Sequence, residues 1–285
     1  MQIRGKAHLL GLLGWPVGHS LSPAMHNAAA RALGLACGYL PLPIRPTDLK
    51  TAVSALAPFN FRGVNVTVPH KQAILPLLDE LDDGARALGA VNTVVVAENG
   101  RLTGYNTDWS GFQADLMAQG VDVNGRICLV LGAGGSARAV VYALAQLGGQ
   151  VKLLARRPEQ AAQLIADLAP YILDGQVEKR PLTTLPHLAH QSHAPLIVNT
   201  TPLGMTPHTD HSIWPDDLPF PAQSFIYDLV YNPAQTKLMQ QAATANCQAS
   251  NGLGMLLHQG AQAFTLWTGH QPDLSIMADA LHLKR

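Results

Sequence analysis

The stretch Ile127–Arg138 reads ICLVLGAGGSAR, and its two halves follow different rules. Ile127 to Leu131 is continuously apolar, as a strand covered on both faces must be. Gly132, Ala133, Gly134, Gly135, Ser136 and Ala137 follow at once, and then comes a helical run, VVYALAQLG. In Gly132-x-Gly134-x-x-Ala137 the first glycine permits a tight turn, and the second lets the backbone approach a pyrophosphate. Ala137 is small enough for the close helix–strand contact. Backbone N–H groups left free at the helix N-terminus supply an anion site. The motif carries this meaning because a strand precedes it, a helix follows, and a second strand candidate, Val151 to Ala155, lies at the right distance.

The end of that second strand decides the cofactor class. A site that prefers NAD places Asp or Glu there, to accept hydrogen bonds from the ribose hydroxyls. This chain places Arg156 and Arg157 after Ala155, with no acid before Glu159. A carboxylate repels a 2′-phosphate, whereas guanidinium groups pair with one. The expected cofactor is NADP.

Outward from this unit the chain continues to alternate. Strand-like runs lie at 9–13, 61–68, 90–97, 196–199 and 224–229, with helical stretches between them, one around 71–88. From Ser22 to Leu33 the pattern is helical, with Ser22 able to cap, Pro23 at the first helical position and Gly34 past the end. The stretch 202–222 reads as a surface excursion, and from Gly252 the chain becomes a helical tail. Strands alternating with helices imply an α/β protein with largely parallel sheet.

Bulk properties narrow the function. At 285 residues with 47% hydrophobic side chains, two domains are expected. The formal net charge is +0 and the Lys and Arg residues are scattered, so no basic stripe for nucleic acid forms. Cys37, Cys128 and Cys247 are far apart and odd in number, which speaks for reduced thiols rather than disulfides or a zinc site. The opening, MQIRGKAHLLGLLGW, turns from basic to apolar but is broken by Gly11, Gly14 and Pro16, unlike a signal peptide. No run approaches the roughly 20 apolar residues of a membrane span. A cytoplasmic protein acting on a small molecule, monomer or homodimer, is the expectation. The histidines show no metal-ligand pair, so no metal is expected; His19, His26 and His70 read as structural hydrogen-bonding groups.

Polar residues gather at strand ends in the first half: Ser20-Leu-Ser22-Pro, Asn65-Val-Thr67-Val-Pro-His-Lys71, Ala90-Val-Asn92-Thr and Gly104-Tyr-Asn106-Thr-Asp108. Asn65 and Thr67 share one face by the strand period. Lys71 falls in the first turn of the next helix, unfavourably placed against the helix dipole, which points to use rather than stability.

Together these motifs resemble the shikimate dehydrogenase family along essentially the whole chain. The carrying segments are GWPVGHSLSPAMHN (14–27), NVTVPHK (65–71), GAVNT (89–93), NTD (106–108), GAGGSAR (132–138), NTTPLGM (199–205), DLVY (228–231) and GLGML (252–256) with Gln259. The resemblance implies an N-terminal α/β substrate domain, residues 1–107 completed by 253–285, and a Rossmann-type NADP domain over 108–252, with the C-terminal helix returning to the first domain. It implies that Ser20 and Ser22 hold a carboxylate, that Asn65, Thr67, Asn92, Asp108, Tyr231 and Gln259 serve ring hydroxyls, and that Lys71 is the acid/base paired with Asp108. For NADP it implies Gly132, Ala133, Gly134, Gly135, Ser136 and Ala137 on the pyrophosphate, and Ala155, Arg156 and Arg157 at the 2′-phosphate. Leu229, Gly252 and Asp83 would then lie near the nicotinamide. Many NADP-using members read Asn-Arg-Thr where this chain has Ala155-Arg156-Arg157, and their downstream basic residue is here Gln160, so Arg157 is the substitute. The implied reaction is reversible, NADP-dependent reduction of 3-dehydroshikimate to shikimate. The alternatives are a quinate/shikimate dehydrogenase with relaxed cofactor use and a catalytically silent NADP-binding regulator.

Overall fold

The computed structural model describes residues 7–282; the basic opening at 1–6 and the end at 283–285 lie outside the described residues. By its internal contacts the chain divides into two compact units, Met1–Gly111 with Leu256–Arg285, and Phe112–Met255. In chain order the elements begin β1 (His8–Gly14), α1 (Ser22–Ala32), β2 (Cys37–Pro43), α2 (Leu49–Ser54), β3 (Phe61–Val66), α3 (His70–Ala73), β4 (Glu80–Leu81), α4 (Asp83–Leu88), β5 (Thr93–Val96), β6 (Leu102–Tyr105) and α5 (Asp108–Ala118). They continue β7 (Ile127–Leu131), α6 (Gly135–Gln146), β8 (Gln150–Ala155), α7 (Pro158–Leu168), β9 (Val177–Pro181), α8 (Leu185–Gln191), β10 (Leu196–Asn199), β11 (Phe225–Asp228), α9 (Lys237–Thr244), β12 (Gln248–Asn251), α10 (Leu253–Thr268) and α11 (Leu274–Ala280).

The first unit carries a six-stranded sheet of order β2-β1-β3-β5-β6-β4. It is mixed rather than largely parallel. β1 runs parallel to β2 and β3, but β5 is antiparallel to both β3 and β6. The β5–β6 pairing follows from a short connection: Gly100, at φ +82, closes a tight turn between them, and a loop that short can join only antiparallel neighbours. Leu10 and Leu12 of β1 join a core with Met25, Ala29, Phe264, Trp267 and Met277, while Leu13 joins Val64, Val66, Ile74 and Ala85 on the other side. The two-residue strand period thus divides the core between two faces. Trp267 closes the first of them, donating from Nε1 to the Val94 carbonyl at 2.9 Å over the bare backbone of Gly63.

Two local expectations change. The stretch 71–88 is not one helix: it breaks into α3, a 3-10 turn at Leu75–Leu77, β4 and α4. Pro76 falls in the turn, where it cannot donate to a continuing helix. Ser22 does not cap α1; Leu21 occupies that position and is already helical at φ −82, ψ −12, so Ser22 becomes the first helical residue with its hydroxyl spared.

The second unit is a six-stranded sheet, β12-β11-β10-β7-β8-β9, in which every pair is parallel. The strand order reverses between β7 and β10, and in such sheets ligands bind outside the strand ends at the reversal. The segment 202–222 is more than a surface excursion. Trp214 within it is buried, donates from Nε1 to Leu218 at 2.8 Å, stacks on Phe220 at 4.5 Å, and belongs to the core beneath β10 and β11.

Candidate active site

Strand pairing in the first unit brings its polar residues into one network. Asn65 on β3 stands directly across from Thr93 on β5, so its Nδ2 donates to Thr93 Oγ1 at 3.0 Å and to the Asn92 carbonyl at 3.1 Å. Asn65 Oδ1 accepts from the Tyr39 hydroxyl at 2.8 Å. Asn92 cannot flip its amide, because Oδ1 takes the Thr107 backbone N–H at 2.7 Å. Its Nδ2 therefore points to Thr107 Oγ1 and to Asp108 Oδ1, at 3.0 and 2.8 Å. Gln259, on α10, brings Oε1 to 3.4 Å from the same nitrogen.

Asp108 opens α5, where a carboxylate is favoured by the helix dipole, and Asn106 fixes its backbone N–H at 3.1 Å. With Oδ1 held by Asn92, Oδ2 accepts from Lys71 Nζ at 2.6 Å. The pair is only partly open, with side-chain exposure of 31% for Lys71 and 18% for Asp108. Lys71 lies in α3, a single turn of four residues. A dipole that short gives the expected dipole penalty little force; Lys71 is placed by the Val91 N–H, which donates to its carbonyl at 2.8 Å. Ser20 and Ser22 meet through a hydrogen bond from Ser22 N to Ser20 Oγ at 3.2 Å. Thr67 follows the end of β3, half-buried, its methyl over the bare Cα of Gly14.

Thr93, Thr107, Asn106 and Tyr39 are parts of this network to which sequence reasoning gave no role. The first three sit inside quoted motifs, within two residues of a candidate, and that proximity is the available signal. Tyr39 lies on β2, a strand that its prolines conceal. His26, expected to hydrogen-bond, instead stacks on Tyr39 at 4.3 Å with ring planes 8° apart, and neither ring nitrogen finds a partner. Burial pushes its pKa down to about 3, the nearby Asn65 side chain opposing weakly. His70 does bond, through Nε2 to the Ile44 carbonyl at 2.7 Å.

In the second unit Gly132 adopts φ +110, and a Cβ there would meet Thr200 Oγ1 at 2.7 Å, so glycine is required by both conformation and space. Gly134 and Gly135 differ: a Cβ on either would meet no protein atom within 4 Å. Their bareness serves no internal packing and leaves room for a ligand. α6 starts from Gly134 with no side-chain cap, so its first N–H groups face that room, and Ala133 and Ser136 flank it. Ala137 is fully buried beneath. This arrangement fits a pyrophosphate. Ala155 ends β8, and Arg156 and Arg157 follow, exposed and, among the described residues, without a side-chain partner. Arg138, by contrast, is engaged by Asp167 of α7. Tyr231 and Leu229 follow β11, and Gly252 follows β12. Asp83 lies in the first unit, exposed at the start of α4, apart in chain and unit from the glycine turn.

Residues 12–94 match the model of the shikimate dehydrogenase substrate binding domain, and 252–282 that of the shikimate 5'-dehydrogenase C-terminal domain. Shikimate dehydrogenase (NADP(+)) of Moorella thermoacetica is 46% identical over 97% of this chain and 93% of its own. The chain belongs to the shikimate dehydrogenase family. Among solved members of that family, shikimate 5-dehydrogenase of Thermus thermophilus, in complex with NADP(H) and shikimate, is 39% identical with a TM-score of 0.86 over 96% of this chain and 98% of that one. Quinate dehydrogenase of Corynebacterium glutamicum in complex with NAD superposes at a TM-score of 0.90, with 33% identity over 97% and 99% of the two chains. The Moorella thermoacetica relative thus aligns along nearly the whole chain, and no helix among the described residues is long and apolar enough to cross a membrane.

Proposed function

We propose that the chain catalyses the reversible, NADP-dependent reduction of 3-dehydroshikimate to shikimate as a free cytoplasmic enzyme. The observation that carries the reading is the Lys71–Asp108 pair at 2.6 Å, in the unit whose sequence matches the substrate binding domain. NADPH supplies the hydride that converts the substrate's ring ketone to an alcohol. Lys71 Nζ stabilises negative charge developing on that oxygen and gives it a proton; in the reverse direction it takes the proton back. Asp108 orients Lys71 through Oδ2, and its remaining lone pairs accept from the neighbouring ring hydroxyl. Asn92 keeps the carboxylate from rotating away.

Ser20 and Ser22 hold the substrate carboxylate with hydroxyl donors. Asn65, Thr67, Tyr231 and Gln259 serve the remaining hydroxyls. Asn65 spends both amide protons within the protein and one Oδ1 lone pair on Tyr39, so only the second lone pair is left and Asn65 accepts from substrate rather than donating. Gly132 to Ala137 take the pyrophosphate, Ala155, Arg156 and Arg157 surround the 2′-phosphate, and Leu229, Gly252 and Asp83 lie on the nicotinamide side. The NADP(H)-bound Thermus thermophilus relative, the Moorella thermoacetica relative named for NADP(+), and Arg156 and Arg157 at the end of β8 support NADP over NAD.

The test is nicotinamide reduction followed by absorbance with shikimate and NADP, beside crossed controls with quinate and NAD. Turnover confined to shikimate with NADP is expected. Comparable rates with quinate and NAD would place the chain with the quinate enzymes, and no turnover in any pair would leave a silent NADP-binding protein.

A further inference from the structure

Asp228 is the one polar member of the DLVY motif to which the proposed function gives no part. It is fully buried at the end of β11, and among the described residues no cation reaches it. Three donors from three separate segments converge on its carboxylate instead. Oδ1 accepts from Asn199 Nδ2 at 2.8 Å and from the Val230 backbone N–H at 3.1 Å, and Oδ2 accepts from Thr236 Oγ1 at 2.6 Å. Asn199 ends β10 and in turn receives Thr201 N–H at 2.9 Å; Thr236 caps α9 by accepting from Met239 N–H at 3.3 Å. Only a group that accepts at both oxygens satisfies this set, because an amide would present a donor to at least one of the three.

The other side of the same turn is closed by a glycine. A Cβ at Gly252 would collide with the Leu229 carbonyl, so the backbone of Leu229 lies against a position that must carry no side chain. Leu229, Val230 and Tyr231 are therefore held from two directions, by the carboxylate before them and by Gly252 beside them. Burial holds the Asp228 carboxyl above its usual range while the three donors pull it back, as expected for an acid retained for its hydrogen bonds.

We infer that Asp228 is a positioning residue, whose buried carboxylate locks the turn that presents Leu229 to the nicotinamide and Tyr231 to the substrate. The inference rests on the proposed function for those two roles. It requires that loosening the turn harms binding of the nicotinamide half and turnover, while the adenosine end, held by the glycine turn and the arginines, is untouched.

The experiment compares wild type with Asp228→Asn, Thr236→Val and Thr236→Ser. It measures kcat and KM for shikimate, and the dissociation constants of NADP and of 2′,5′-ADP, which lacks the nicotinamide. Asp228→Asn should lower kcat roughly 10- to 100-fold, the effect of leaving one buried donor unpaired at a reacting site. It should weaken NADP while binding 2′,5′-ADP as wild type does. Thr236→Val should repeat the pattern and Thr236→Ser, which keeps the hydroxyl, should restore it. Unchanged kinetics and NADP affinity in Asp228→Asn, or loss of 2′,5′-ADP binding in step with NADP, would overturn the positioning role. An inactive wild type would instead sink the proposed reaction, and the contrast between the two nucleotides would still decide the lock.

Discussion

Among the described residues the Lys71 ammonium donates to one carboxylate, and that carboxylate is pinned by an amide that cannot turn. Removing the ammonium therefore removes the proton without disturbing the frame around it. Lys71→Ala should lower kcat by roughly 10²- to 10⁴-fold, the usual contribution of a positioned acid/base, with NADP affinity nearly unchanged. Equal losses in both quantities would contradict the assignment. His26 offers a second residue-scale test. Folding keeps its imidazole neutral down to about pH 3, whereas the unfolded chain takes the proton near 6.5. Its contribution is thus fully present above about pH 6.5 and is lost as pH falls toward 3, at up to about 1.4 kcal/mol per pH unit. Urea unfolding between pH 7 and 4 should be less pH-dependent in His26→Phe, which keeps an aromatic ring against Tyr39; parallel profiles would refute this. Lys71 and Asp108 are legible in the sequence because each ends a compact motif. The burial of His26 is not, since nothing local says which ring it will stack on.

At the scale of elements the two glycines of the β7–α6 turn answer to different demands. Gly132→Ala must strain a left-handed backbone and push into Thr200, so it should destabilise the fold and abolish NADP binding together. Gly134 sits at φ −87, ψ −168, which alanine adopts freely, and the added methyl enters open space. Gly134→Ala should therefore unfold at the wild-type temperature yet bind NADP about tenfold or more weakly, as calorimetry can show; a drop in melting temperature equal to that of Gly132→Ala would refute the distinction. The parallel strands β7, β8, β10 and β11 are legible as mainly apolar runs, broken in β8 only by Lys152. β2, β6, β9 and β12 are not: CGYLPLP is interrupted by prolines, LTGY and QASN are short, and VEKRP is a charged sheet edge. Edge and hairpin strands are specified by pairing partners far along the chain, which local pattern does not reveal.

On the whole molecule the formal charge is +0, so no long-range field gathers an anionic cofactor. Discrimination between NADP and NAD falls to local groups, and Arg156 and Arg157 are exposed cations at the end of β8. Ligand-linked stability reads this directly, since a ligand at about 100 times its dissociation constant adds about 2.7 kcal/mol. NADP should raise the melting temperature by several degrees and NAD at equal concentration by less, and the double substitution Arg156→Ala with Arg157→Ala should erase the difference. Equal shifts in wild type would remove the arginines from specificity. The alternation of strands and helices makes the class of the fold legible, while the antiparallel β5–β6 pair is hidden in one tight turn at Gly100.

The split of the first unit across the chain has a consequence for how the protein is made. Residues 7–111 leave the ribosome before the second unit, yet Phe264, Trp267 and Met277, which complete their core, emerge only after it. The unit from Phe112 to Met255 is continuous and has all its own parts as soon as it is out. The half that is translated first is thus the half that must wait, its Val94 carbonyl and the flank of Gly63 uncovered until the Trp267 indole arrives.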